Sequence, residues 1–208
     1  MSDLKYMNLS FREIQKNINK CNLIIDNQKD AINEFRKIIF TASNKRFSKD
    51  RKTTIFLVGA GRSGFVAKSF AMRLMHLGFC VYVFNESIAH PVCDGDIIII
   101  ISKSGNSNSI TQIVEDSKLD NVKFLSVCGS EKCDLAQISE AKIIIDSLPQ
   151  ETIPITGEEK PLELILMGTA FETCALVLLD ALVVELMQNL GLRERDLADY
   201  HDVLSSSF

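Results

Sequence analysis

Four prolines and ten glycines in 208 residues are too few for a collagen-like or low-complexity chain. No apolar run reaches the ~18 uninterrupted residues that a membrane-spanning helix needs. The longest apolar stretch, 161–190, is broken by Glu163, Glu172, Asp180 and Glu185. An excess of positive charge is also missing: 23 Lys and Arg against 27 Asp and Glu leave a net charge of −4. That is a poor basis for general nucleic-acid binding, which needs a basic surface. It does not weigh against an anionic substrate, because a phosphate site needs only a few local donors. None of the six cysteines forms a Cys-x-x-Cys pair, and no histidine stands near Cys128 and Cys133 to suggest zinc. Cys80, Cys128 and Cys174 lie in apolar runs and are expected to be reduced, buried thiols, which fits a cytoplasmic protein better than a disulfide framework. The opening Met-Ser-Asp-Leu-Lys-Tyr lacks a basic stretch followed by an apolar one, so no signal peptide is expected.

What is present is an ordinary globular composition, 46 % apolar and 24 % charged, rich enough in Ile, Leu, Val and Phe to exclude disorder. The length suits a single domain over 1–208. Residues 1–50 read as a helical segment, with Phe11, Ile14, Ile18, Cys21, Ile25, Ile32, Phe35 and Ile39 at spacings of 3 and 4. Gln28 is the one polar entry in that seam, and a break between two helices is expected near Asp26-Asn27. Short β-branched runs follow at 54–58, 80–84, 97–101, 122–127 and 143–145, separated by helical stretches at 64–77, 107–119 and about 131–138. Ile97 to Ile101 do not alternate with polar residues, so that strand is expected to be buried on both faces. The alternation predicts an α/β fold: a three-layer α/β/α domain with a five-stranded parallel sheet over 51–146. After a loop at 147–160, a long apolar C-terminal helix is expected over 161–190, and a short one over 194–204. Because the long helix is apolar nearly all round, part of it is expected in a subunit interface.

In an open parallel sheet, ligands bind beyond the carboxyl ends of the strands, where strand order reverses. The loops after the first three strands read Gly59-Ala-Gly-Arg-Ser-Gly64, Asn85-Glu-Ser-Ile-Ala-His-Pro91 and Ser102-Lys-Ser-Gly-Asn-Ser107. The first matches a dinucleotide fingerprint, with Glu86 in place for a ribose hydroxyl. The third argues for another ligand. Small hydroxyls and backbone N–H groups at a strand-to-helix turn cradle a single phosphate, and the chain has little room for the substrate domain of a dehydrogenase.

Gly59–Gly64, Phe70-Ala-Met-Arg-Leu-Met-His-Leu-Gly-Phe79, Ser102–Ser107, Met167-Gly-Thr-Ala-Phe-Glu172 and Leu179-Asp180 together resemble the 6-phospho-3-hexuloisomerase branch of the sugar isomerase (SIS) domain family. The likeness runs from about Ile55 to His201. It implies a five-stranded parallel sheet between helices, usually a homotetramer. It also implies a reaction without metal or cofactor, the interconversion of 3-hexulose 6-phosphate and fructose 6-phosphate. In metabolism that step follows aldol fixation of formaldehyde onto ribulose 5-phosphate.

The reaction needs a base that takes a proton from a carbon beside a carbonyl and returns it to the neighbouring carbon. Glu172 stands after Phe171 in an apolar stretch with few other charges, an expensive place for a carboxylate without a purpose, and it matches the family's Phe-Glu. Ser102, Ser104, Asn106 and Ser107 are the expected phosphate ligands. Arg62 and Ser63, which open the helix after the glycine loop, are candidate contacts to the sugar or its phosphate, and Glu86 is a candidate for orienting a hydroxyl. The resemblance gives His201 the role of an acid in a neighbouring subunit's site. His76 reads as a packed helix residue, and Asp180 as a structural or interface-forming one. The expected partner is a small sugar phosphate, with no metal ligand cluster, no nucleic acid and no membrane. Two other functions fit the same residues: an isomerase of a pentose or heptose phosphate, and a non-catalytic sugar-phosphate sensor.

Overall fold

The run of five isoleucines divides its side chains between two cores. Ile97, Ile99 and Ile101 enter one, Ile98 and Ile100 the other, and all five are buried. A computed structural model describes residues 4–43, 53–84, 86, 89, 91–106, 121–146, 152–153, 162–166 and 169–196. In it β1 (Thr54–Gly59), β2 (Cys80–Val83), β3 (Ile97–Ser102), β4 (Lys123–Cys128) and β5 (Ala141–Ile144) form one parallel sheet in the order β2-β1-β3-β4-β5. Strand order therefore reverses between β1 and β3. Burying each such aliphatic side chain contributes about 1.5–3 kcal/mol, so the central strands are where folding is most strongly driven.

The larger core is built by α1 (Lys5–Asn27), α2 (Lys29–Ser43), α3 (Gly61–His76) and α5 (Thr169–Asn189), and the opposite face carries α4 (Asp134–Ile138). This is the expected three-layer α/β/α fold. The expected helix over 107–119 lies outside the described residues. Residues 194–196 begin a helical turn, and the rest of the expected last helix lies outside them too.

Three expectations need correction. The apolar C-terminal helix starts at Thr169, not at 161, because Leu162–Glu163 (β7) pairs antiparallel with Thr152–Ile153 (β6). Apolar content alone does not separate a short strand from the first turns of a helix. The seam along α1 is only partly inward: Phe11 and Ile25 are exposed, whereas Glu13, Asn17 and Cys21 are buried. That face meets α5, where the Asn17 carbonyl accepts the Cys174 thiol at 3.4 Å as well as the Cys21 thiol of its own helix at 3.9 Å. Cys128 and Cys174 are buried free thiols as expected, but Cys80 is only half-buried. Burial, together with the neighbouring Cys133 thiol, pushes Cys128 up to about 12.

Gln28 explains the break between α1 and α2. Its amide nitrogen donates to the Ile144 carbonyl at 2.6 Å, and its amide oxygen accepts from the Ile144 N–H at 2.8 Å. One side chain thus stands in for a neighbouring strand at the open edge of β5, satisfying a donor and an acceptor that an edge strand leaves unpaired.

Candidate active site

The glycine loop begins where β1 ends. A Cβ on Gly59 would lie 2.7 Å from the Ser63 carbonyl oxygen, and one on Gly64 would lie 2.9 Å from the Gly59 carbonyl oxygen. Only glycine allows α3 to start this close to its strand, and Gly61 adopts φ +55° to make the turn. Ser63 is buried in the packing, while Arg62, beside it in the first turn, projects outward.

Glu172 reaches the same place from the first turn of α5. The Arg62 Nε lies 3.5 Å from its Oε2 in an ion pair that joins residues 110 apart in sequence. The carboxylate side chain is 12 % exposed and the arginine 60 %. Glu172 therefore does not stand in surroundings of few charges, as its flanking residues implied, because the neighbour that matters comes from another helix. The two line a cleft of about 370 Å³ with Phe65, Val66, Ser69, Thr173 and Leu176. Val66 and Ser69 went unnoticed in the sequence, although their spacing from Arg62, i+4 and i+7, puts all three on one helix face.

The serine loop follows β3, the strand next to β1, and reaches the carboxyl edge beside it. Ser102 Oγ accepts the Gly105 N–H at 3.2 Å, closing a tight turn around Gly105 at φ +65°. The loop rests on α4. Asn106 Oδ1 accepts the Asp134 N–H at 3.0 Å, the Gly105 carbonyl accepts the Leu135 N–H at 3.1 Å, and the Lys103 carbonyl accepts the Gly129 N–H at 3.0 Å. Ser104 is exposed at the turn. These bonds leave the Ser102 hydroxyl proton and the Asn106 amide protons as donors. Cys133 supports the loop from below: a Cβ on Gly105 would lie 2.3 Å from its Sγ. Nothing in the sequence marked that contact.

Of the expected site residues, the structure joins Arg62 to Glu172. It groups Ser102, Ser104 and Asn106 in one loop, which does not line the cleft of that pair. Glu86 faces Lys68 instead, at 2.8 Å in a largely exposed ion pair. Asp180 pairs with Arg73 at 3.8 Å, tying α5 to α3 as a structural residue would, and His76 is buried on α3. Ser107, His90 and His201 lie outside the described residues. Among the described residues no group of three or more His, Cys, Asp or Glu is placed to hold a metal ion, and no helix is long and apolar enough to cross a membrane.

Comparison with known proteins bears on this geometry. Residues 49–168 match the SIS domain family. An uncharacterized protein of Archaeoglobus fulgidus is 40 % identical over 156 residues, which covers 74 % of this chain and 82 % of that protein. A Methanocaldococcus jannaschii protein named 3-hexulose-6-phosphate isomerase is 34 % identical over 147 residues, covering 71 % of this chain and 74 % of the relative. A crystal structure of a hypothetical protein from Methanococcus jannaschii, described as inferring a molecular function of 3-hexulose-6-phosphate isomerase, superposes with a TM-score of 0.73 at 26 % identity. That superposition covers 91 % of this chain and 95 % of the other.

Proposed function

The chain belongs to the SIS domain family, and we propose that it is a phosphosugar isomerase that interconverts 3-hexulose 6-phosphate and fructose 6-phosphate. The observation that carries this reading is the carboxylate of Glu172, only 12 % exposed, at a cleft beside the point where strand order reverses. The serine loop, one strand over, supplies hydroxyls and a buttressed turn for the phosphate.

In this mechanism the phosphate sits on Ser102, Ser104, Asn106 and Ser107 and fixes the open-chain sugar. Glu172 takes the proton from the hydroxyl-bearing carbon next to the ketone. The electrons move onto the carbonyl oxygen, giving an enediol, and the same carboxyl group returns a proton to the former carbonyl carbon. His201, contributed by a second subunit, opens the sugar ring or moves the hydroxyl proton. The role of Ser63 is to hold the turn from which Arg62 projects. The groups proposed are hydroxyl and amide donors for the phosphate and one carboxylate as the base, and turnover is expected without an added metal or cofactor.

The proposed assembly is a homotetramer. Phe65 is 73 % exposed, and Leu176, Val177 and Val184 leave apolar surface on α5, beside the cleft and along the same two helices. Placement of the reaction after formaldehyde fixation onto ribulose 5-phosphate belongs to the same proposal.

The test is incubation of the protein with 3-hexulose 6-phosphate, followed by NMR. Fructose 6-phosphate is expected to appear and to reach the same ratio from either side. Turnover of a pentose or heptose phosphate in its place would reassign the substrate, and binding without turnover of any of them would favour a sensor.

A further inference from the structure

We infer that Arg62 is a positioning residue for Glu172, and not a ligand of the substrate's phosphate. The inference rests on the reading of Glu172 as the base. An arginine on a glycine-rich loop at the carboxyl edge of the sheet reads, from sequence, as an anion contact. The structure commits it elsewhere. Its Nε faces Glu172 Oε2 at 3.5 Å, and the serine loop does not share their cleft.

The geometry is selective between the two carboxylate oxygens. A guanidinium on Oε2 leaves Oε1 as the oxygen that meets a carbon-bound proton. The other described side chains around Glu172 in the cleft, Phe65, Val66, Ser69, Thr173 and Leu176, carry no charge, so among the described residues Arg62 is the one cation that lines it. A carboxylate that is 12 % exposed and lacks that partner has lost its orienting contact and is free to turn. Misplacement of a reacting group by about 1 Å costs on the order of 10²-fold in rate.

The glycine loop then has an assignment that a dinucleotide fingerprint did not supply. Gly59 and Gly64 let α3 begin in steric contact with β1, and this fixes the backbone that carries Arg62. The pattern resembles a cofactor-binding turn because both uses need the same close approach of helix to strand. Here what the approach positions is a side chain.

The experiment compares wild type, Arg62→Met, Glu172→Gln and the double variant, with Arg62→Lys as the conservative control. Turnover of 3-hexulose 6-phosphate is followed by NMR, and affinity for fructose 6-phosphate by calorimetry. Arg62 is largely exposed, so thermal denaturation is expected to show an intact fold. Arg62→Met is expected to lower kcat by ~10²-fold while KM and the fructose 6-phosphate Kd stay within about threefold. Arg62→Lys is expected to recover part of the loss, and Arg62→Met should cost nothing more once Glu172 is already Gln, since two residues acting through one function are not additive. A rise in KM and Kd with kcat kept would make Arg62 a phosphate ligand and overturn the inference. So would an unchanged kcat, or a further ~10²-fold loss from the residual turnover of Glu172→Gln when Arg62→Met is added. Wild-type turnover by Glu172→Gln would instead remove the base, and the inference with it.

Discussion

The glycine loop and the serine loop leave adjacent strands at the same edge of the sheet, yet they are built on opposite plans. The glycine loop is tight because side chains are missing: Gly59 and Gly64 allow contact with β1, and its one long side chain meets a carboxylate 110 residues away. The serine loop is tight because its own polar groups and carbonyls are used, through Ser102, Lys103, Gly105 and Asn106, to bond the turn and the segment that starts α4. The first places a charged pair, and the second presents hydroxyl and amide donors beside the exposed Lys103. A reaction that moves a proton beside a held phosphate needs both, and separating them keeps the base away from the anion.

The largest effect expected on this division is at the base. Glu172→Gln keeps shape and hydrogen bonding but cannot take the proton, so kcat is expected to fall by ~10²–10⁴-fold, with fructose 6-phosphate affinity kept. Steady-state kinetics with a check of oligomeric mass measure it. Ser104→Asp acts on the other loop and in the other parameter. A new carboxylate about 4 Å from a phosphate is opposed by ~1–4 kcal/mol, depending on solvent exposure, which corresponds to a ~5–10³-fold weaker Kd by calorimetry with the fold intact.

Gly105→Ala probes the buttress. The residue would need φ +65° and would meet Cys133 Sγ at 2.3 Å, so a stability loss of about 1–3 kcal/mol is expected in denaturant melts. Adding Cys133→Ala should relieve the clash and leave the backbone strain, returning only part of it. Gln28→Ala removes the side chain that completes the edge of β5, outside the Arg62–Glu172 cleft. It should cost about 1–3 kcal/mol for the two groups left unpaired, with kcat unchanged. Glu86→Gln is expected to be the mildest. Its pair with Lys68 is largely exposed, so stability should shift by less than about 1 kcal/mol. A kcat loss above about tenfold would restore Glu86 to the site and blur the two-loop division.

Much of the fold was legible in the residues, and for stated reasons. Ile97 to Ile101 lack alternation because both faces of β3 are covered, and the glycines and serines mark where strands end. Boundaries were less legible. Leu162–Glu163 pair with Thr152–Ile153, a contact between segments that composition does not announce. On α1 the apolar spacing pointed at Phe11 and Ile25, but the helix packs with Glu13, Asn17 and Cys21 inward. At the site, each residue type was legible from its loop, whereas its partner was not. Arg62 and Glu172 are separated by six strands in the chain, and Lys68 and Glu86 by the end of α3 and all of β2. Ion pairs of that kind depend on how helices pack, which local patterns do not encode.

The central claim is that Glu172 carries the proton between two neighbouring carbons. The direct measurement is conversion of 3-hexulose 6-phosphate in deuterated water, read by NMR for label at the carbon that gains hydrogen. Wild type is expected to give fructose 6-phosphate with part of the label incorporated and part of the original hydrogen retained, as transfer by one base on one face allows, and Glu172→Gln to form product and label ~10²–10⁴-fold more slowly. Product and label appearing with Glu172→Gln at the wild-type rate would contradict the account.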